Sequence, residues 1–142
     1  MISDSAKSEL HNTWEKAALG WAKWEREFSA GLSPATDTLI DMAGIRAGMR
    51  VLDLACGAGS QTIHAAKRVG PGGSVVACDI SATMLDHLRT NATAAGLQNV
   101  ETLECAAEEL DNTLPPFDAA IRRLGLMLFP SPSSALKAVS AC

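Results

Sequence analysis

Two short stretches of the chain carry the residues best suited to bind a ligand. The first, 51–60, is an apolar run followed by Gly57 and Gly59, and the second is an apolar run that ends in Asp79. Glycines between a strand and a helix let a ligand approach bare backbone beside the helix N-terminus. A carboxylate at the end of a neighbouring strand can accept hydrogen bonds from both hydroxyls of a ribose. The pair therefore predicts a site for a ribose-bearing ligand.

Several alternatives fit less well. A dinucleotide fingerprint needs a third small residue three positions after Gly59, and Thr62 stands there. No Lys or Arg lies near the turn, and the sequence has no phosphate-binding loop of the GxxxxGK[ST] type. A nicotinamide cofactor is therefore disfavoured. The other interpretation of Asp79 is a helix-capping residue, but its spacing from Gly59 favours the ribose role.

The pattern of apolar runs and breakers predicts an α/β protein. Strands are expected over 50–55, 74–78, 99–103 and 117–122, alternating with helices over 61–69, from Ser81 to Gly96 and from Ser131 onward, with a helical turn over 107–110. Right-handed crossovers give a parallel sheet with helices on both faces. The ligand crevice is then expected beyond the carboxyl ends of the first and fourth strands.

The N-terminal segment has a helical pattern of its own. Apolar residues recur every three or four positions over 6–29, and they include Trp14, Trp21 and Trp24. The indole rings either form a lid that flanks a ligand or pack against the main domain, and packing is the favoured interpretation for any single Trp. Gly31 and Pro34 are expected to break this helix. A second helix would then run to about Met42 and stop at Gly44.

Length and charge narrow the classes of protein. The 142 residues suffice for a single domain, divided here into an N-terminal helical segment, 1–45, and a core, 46–142. The net charge of −4 gives no electrostatic reason to expect a nucleic-acid partner. No uninterrupted apolar span reaches the ~18–20 residues of a membrane helix, so no membrane span and a cytoplasmic location are expected.

The cysteines and histidines give weaker signals. Cys56, Cys78, Cys105 and Cys142 form no CxxC pair. Near the strand ends they could form a soft-metal or arsenic site or remain buried, inert thiols. The inert thiols are favoured, and no metal is expected. The three histidines fall within predicted helices and none stands in a pattern typical of a general base, so no catalytic residue is assigned.

Three motifs together resemble class I S-adenosylmethionine-dependent methyltransferases, in particular the ubiquinone/menaquinone-biosynthesis group. They are Val51-Leu-Asp-Leu-Ala-Cys-Gly-Ala-Gly, Val76-Ala-Cys-Asp-Ile-Ser-Ala-Thr-Met-Leu, and Phe117-Asp118. The resemblance covers roughly residues 35–140. It implies a Rossmann-like sheet of order 3-2-1-4 and S-adenosyl-L-methionine as the cofactor of a transferase that methylates a small molecule by direct in-line transfer.

The resemblance also implies roles for individual residues. The methionyl part of the cofactor would be held by Asp53 and by the backbone of Ala55, Cys56, Gly57, Ala58 and Gly59. Asp79 would hold the ribose, and Ile80, Met84, Ala107 and Glu108 would surround the adenine. The end of the fourth strand, with Arg122, Arg123 and Leu124, would flank the methionyl group.

Two departures from the family pattern affect these expectations. Ala106 stands where the family usually has an Asp that accepts a hydrogen bond from the adenine amino group, so weaker cofactor binding is expected. The sequence also stops at Cys142, before the family's Leu-Lys-Pro-Gly-Gly turn and three further strands. The fourth strand is then an open edge, which predicts a homodimer. A non-catalytic cofactor-binding or interaction module that lacks an acceptor pocket is the alternative to an active enzyme.

Overall fold

A computed structural model describes residues 4–142 and contains one four-stranded parallel sheet. The strands are β1 (Arg50–Leu54), β2 (Ser74–Asp79), β3 (Val100–Glu104) and β4 (Ala119–Ile121), in the order β3-β2-β1-β4. The predicted order and fold class are confirmed. β4 is shorter than predicted, because the N–H group of Phe117 donates to the carbonyl of Cys142 instead of joining the sheet.

Helices cover both faces of this sheet. They are α1 (Asp4–Met42), α2 (Ser60–Val69), α3 (Ala82–Ala94) and α4 (Pro132–Ser140), with short 3-10 turns at Ala107–Glu109 and Leu126–Leu128. On one face α1, α2 and α3 pack on alternate strand residues such as Val51 and Val75. On the other face α4 and the segment after β3 pack on Leu52 and Val76. The carboxyl ends of all four parallel strands therefore lie at the same edge of the sheet, between two packed layers of helices and loops.

The predicted break near Gly31 and Pro34 is wrong, since α1 is continuous through both residues. A proline inside a helix costs about 3 kcal/mol, through a lost hydrogen bond and a clash with the preceding turn. Burial on both sides of the proline offsets this cost, because Ala18 is buried against Ala58 and Met84 and Ile40 is buried in the core. Pro34 itself is exposed.

The predicted end of this helix is confirmed. Gly44 has a left-handed φ of 66°, a conformation that an L-residue with a side chain rarely adopts. The N–H of Ile45 donates to the carbonyl of Ile40 at 3.1 Å, and that of Gly44 donates to Asp41 at 3.0 Å. This pair of bonds is a Schellman motif, which satisfies carbonyls of the last helical turn. Among the described residues, no helix is both long and apolar enough to cross a membrane.

Candidate functional site

A cavity of about 590 Å³ lies beyond the carboxyl ends of β1, β2 and β4 and is covered by α1. Its size is typical of a small-molecule site. Most of the residues predicted for the site line it: Ala55, Cys56, Gly57, Ala58, Asp79, Ile80, Met84, Ala107, Glu108, Arg122, Arg123 and Leu124. Asp53 and Gly59 were also predicted for the site, but the structure places them behind the cavity wall.

The turn after β1 combines open backbone with close packing. Gly57 has a φ of 57°, and a Cβ built on it would meet nothing within 4 Å, so its backbone faces open space. Gly59 has a φ of 94°, and a Cβ there would lie 2.0 Å from Leu88 Cδ1. The first glycine thus exposes backbone to the cavity. The second lets α3 pack directly under the turn.

Asp79 joins the turn to the end of β2. Its Oδ2 accepts from the backbone N–H of Gly57 at 2.9 Å, and its Oδ1 accepts from that of Ser81 at 3.0 Å. The helix cap itself is Ser81, whose hydroxyl oxygen accepts from the N–H of Met84 at 3.1 Å. Burial raises the pKa of Asp79, and the hydrogen bonds from Ser81 and Gly57 oppose that rise. Each carboxylate oxygen retains a lone pair for a further donor.

Asp53 lies under the turn and is completely buried. Its carboxylate accepts from the hydroxyl of Thr62 at 2.5 Å and from the amide of Gln61. Burial raises its pKa to about 7, against the effect of both hydrogen bonds. Gln61 lines the cavity although Asp53 does not. Gln61 thus links the buried carboxylate of Asp53 to the cavity.

Arg122 enters the cavity from the end of β4. Its guanidinium lies 3.4 Å from the centroid of the Phe129 ring, and Nε and one terminal nitrogen are buried without a hydrogen-bond partner among the described residues. Burial lowers its pKa to about 10, although the carboxylates of Asp53 and Asp79 favour the charged form. The group remains cationic at neutral pH. Its unpaired donors match an anionic oxygen such as that of a carboxylate.

The tryptophans of α1 were predicted either to pack against the main domain or to flank a ligand, and the structure shows both kinds of contact. Trp14 packs against Ala58 and Met84, as the packing interpretation predicts, and it also lines the cavity. Trp21 and Phe28 line the cavity with tilted rings whose centroids lie 4.9 Å apart. Trp24 is half exposed and carries the ammonium group of Lys23 at 5.4 Å from its ring centroid. One stripe of α1 thus supplies an aromatic wall opposite the glycine turn.

A polar cluster on this side of the cavity joins Arg123, which was predicted for the site, to three residues that were not predicted, Glu25, Ser60 and Thr36. Arg123 donates from one terminal nitrogen to Ser60 Oγ at 2.9 Å and from the other to the hydroxyl of Thr36. Burial raises the pKa of Glu25, whereas hydrogen bonds from Ser60 and the charge of Arg123 oppose that rise. The spacing of Glu25 from Trp21 and Phe28 is the only sequence signal that could have placed its carboxylate here.

Three of the thiols lie near the strand ends as expected, those of Cys56, Cys78 and Cys105. All four cysteines are free, and Cys56 and Cys78 are buried. Burial raises the pKa of Cys56, which keeps its thiol neutral. Within residues 4–142 no group of three or more His, Cys, Asp or Glu side chains could hold a metal ion.

Comparisons with known proteins agree on one family. A family profile described as "Methyltransferase domain" matches residues 45–141. The aklanonic acid methyltransferase DauC of Streptomyces sp. is 28% identical over 136 residues, which are 96% of this chain and 60% of that protein. The ubiquinone/menaquinone biosynthesis C-methyltransferase UbiE of Idiomarina loihiensis is 38% identical over 104 residues, 70% of this chain and 40% of that one.

A solved structure shows the same fold. The SAM-dependent methyltransferase from Aquifex aeolicus superposes with a TM-score of 0.65 and 26% identity, over 75% of this chain and 56% of that one. The chain spans between about a third and three fifths of the length of the curated relatives it matches.

Proposed function

We propose that this chain, which belongs to the methyltransferase-domain family whose cofactor is S-adenosylmethionine, binds that cofactor in its cavity. The protein would then transfer the methyl group of the cofactor to a small molecule. The observation that carries the proposal is the pairing of the open backbone of Gly57 with the Asp79 carboxylate at the cavity floor. Residues 1–142 would act as one cofactor-binding domain.

The cavity has groups that fit each part of the cofactor. Asp79 would accept from the ribose hydroxyls, and the unpaired nitrogens of Arg122 would donate to the carboxylate of the methionyl part. Open backbone at Gly57 leaves room between the two. The adenine would lie among Ile80, Met84, Ala107 and Glu108.

The bound cofactor would supply an electrophilic methyl group on a sulfonium sulfur. The residues of this chain would contribute orientation and the exclusion of water, which together can lower a barrier by about 7–11 kcal/mol. Trp21 and Phe28 supply an apolar wall for that purpose. Gln61 is held by Asp53 at the start of α2, where it can position a polar group of a bound molecule.

A small molecule is the acceptor that this cavity favours. A volume of about 590 Å³ is enclosed between α1 and the sheet, whereas a nucleic-acid substrate would favour a basic surface. The net charge of −4 runs against such a surface. These features support a small-molecule acceptor.

Titration calorimetry with S-adenosylhomocysteine tests the cofactor assignment. We expect this product of the reaction to bind with micromolar affinity, and the oxidised nicotinamide dinucleotide not to bind, because Thr62 stands where the dinucleotide fingerprint needs a third small residue. Absence of binding of S-adenosylhomocysteine, or equal binding of the two, would overturn the proposal.

An interaction module is the second candidate function. The segment after β4 exposes four apolar side chains, Leu124, Leu126, Met127 and Leu128, beside the edge strand. Exposed apolar groups next to an edge strand favour pairing with a second copy, so a homodimer is also proposed. Light scattering at micromolar concentration tests the homodimer, and a mass equal to one chain would exclude it.

A purely non-catalytic module has a separate test. Turnover of any methyl acceptor by the purified chain would exclude it.

A further inference from the structure

Glu25 places a carboxylate in the cavity at a point that the proposed cofactor contacts do not use. Its Oε1 atom is shielded from solvent and has no hydrogen-bond partner among the described residues. A buried acceptor without a partner costs free energy, and a donor that enters the cavity would recover it. The structure therefore contains an acceptor for one additional hydrogen bond.

The surroundings hold this carboxylate in a fixed place. Ser60, the first residue of α2, bonds to Glu25 and accepts at 2.9 Å from Arg123, which is itself tied to Thr36. Ser60 directly follows Gly59 and so lies at the end of the glycine turn. A molecule that bonds to Glu25 would therefore lie next to the proposed methionyl subsite.

The local charge indicates what kind of donor fits. A cation bound to Glu25 would also lie near the guanidinium of Arg123, and the two positive charges would repel each other. An anion would find both terminal nitrogens of Arg123 already engaged by Ser60 and Thr36, and it would be repelled by Glu25 itself. A neutral hydroxyl group meets neither obstacle.

The apolar wall indicates the body of the ligand. Trp21 and Phe28 lie on either side of Glu25 along α1, with rings inclined at 33° to each other. They remain 38% and 46% exposed, so their faces are available to a ligand. Aromatic faces of this kind favour a flat apolar molecule.

We propose that Glu25 is the acceptor-recognition residue: it accepts a hydrogen bond from the hydroxyl of a flat apolar phenol or enol that lies against Trp21 and Phe28. This inference rests on the proposed function and extends it by naming the substrate class.

The test compares two probes that differ only in a hydrogen-bond donor. The 142-residue chain, saturated with S-adenosylhomocysteine so that no transfer occurs, is titrated with β-naphthol and with its methyl ether. We expect β-naphthol to bind about tenfold more tightly, the difference made by one hydrogen bond to a charged group. Glu25→Ala should remove this preference without changing the affinity for S-adenosylhomocysteine, and Glu25→Gln, which keeps an acceptor oxygen but loses the charge, should reduce it. Glu27→Gln, at an exposed position of the same helix, should retain the preference.

The outcomes separate this inference from the proposed function. If S-adenosylhomocysteine does not bind to the wild type, the cofactor proposal fails. If it binds but the two probes bind equally, or neither binds at its solubility limit, the inference about Glu25 fails alone. A loss of S-adenosylhomocysteine affinity in Glu25→Gln with an intact naphthol preference would assign Glu25 to the cofactor and overturn the inference. A wild type without the preference excludes the inference even if a variant does not fold, and an undiminished preference in either folded Glu25 variant overturns it.

Discussion

The carboxylate of Asp79 lies 2.9 Å from the backbone nitrogen of Gly57 and accepts its hydrogen bond. This bond joins the end of β2 to the turn that follows β1. It fixes the side chain that would hold the ribose to the backbone that would face the methionyl part of the cofactor. The two halves of the proposed site therefore depend on each other.

The two glycines of the turn should respond differently to alanine. Gly57→Ala should weaken S-adenosylhomocysteine binding, because its Cβ would enter the open space that the cofactor would occupy. It should lower the free energy of unfolding by about 1–2 kcal/mol, because the backbone at this position is left-handed. Gly59→Ala should cost more stability, about 2–4 kcal/mol, because its Cβ would collide with the buried Leu88. Urea unfolding and calorimetry measure the two effects. Equal destabilisation of both variants would contradict the packing described here.

Asp53 should make the protein less stable as pH rises. An unfolded Asp ionises near pH 3.8, whereas the folded pKa is about 7. Between these values the folded state keeps a proton that the unfolded state has lost, so the free energy of unfolding falls as pH rises through this window. Asp53→Asn cannot ionise, and its stability relative to wild type should increase from pH 4 to pH 8 by at most about 4 kcal/mol.

Urea unfolding at several pH values measures this difference. Asp86→Asn, which alters an exposed carboxylate paired with Arg89, serves as the control and should show no comparable trend. A difference between Asp53→Asn and wild type that stays constant with pH would contradict a buried, largely protonated carboxyl.

The continuity of α1 can be tested at Pro34. In an unbroken helix, Pro34→Ala restores the hydrogen bond to the carbonyl of Ala30 and should raise the free energy of unfolding by about 1–3 kcal/mol. If the helix instead broke before Pro34, the proline would occupy a favourable first-turn position. A neutral or destabilising effect of Pro34→Ala in thermal unfolding would therefore support the break.

Ala106 offers a test by gain of affinity. It lines the cavity where the resemblance expects an Asp that accepts from the adenine amino group. Ala106→Asp should strengthen S-adenosylhomocysteine binding about tenfold, the effect of a hydrogen bond to a charged acceptor. Ala106→Leu adds volume without an acceptor and should not strengthen binding. Unchanged or weaker binding by Ala106→Asp would indicate that the adenine lies elsewhere.

Local patterns predicted much of this molecule. The apolar runs gave the four strands, and the positive φ of Gly44 follows from its place after a helix. Asp79 could be placed beside the glycine turn because the carboxyl ends of neighbouring parallel strands meet at one edge of a sheet.

Contacts between distant segments could not be predicted in the same way. Glu25 lies near Ser60 only because α1 folds across the carboxyl ends of the strands. The wrong prediction at Pro34 has the same origin, since local propensity indicated a break and the burial of Ala18 and Ile40 outweighed it. Nothing in the local sequence reports such long-range packing.

The most direct test of the account is the affinity of wild type, Asp79→Asn and Asp79→Ala for S-adenosylhomocysteine. We expect the wild type to bind and both variants to bind at least about tenfold more weakly, since hydrogen bonds to the charged carboxylate contribute about 1.5–3 kcal/mol. Asp86→Ala, an exposed carboxylate on α3, should bind like wild type. Undetectable binding by the wild type, or equal binding by wild type and folded Asp79→Asn, would contradict the account.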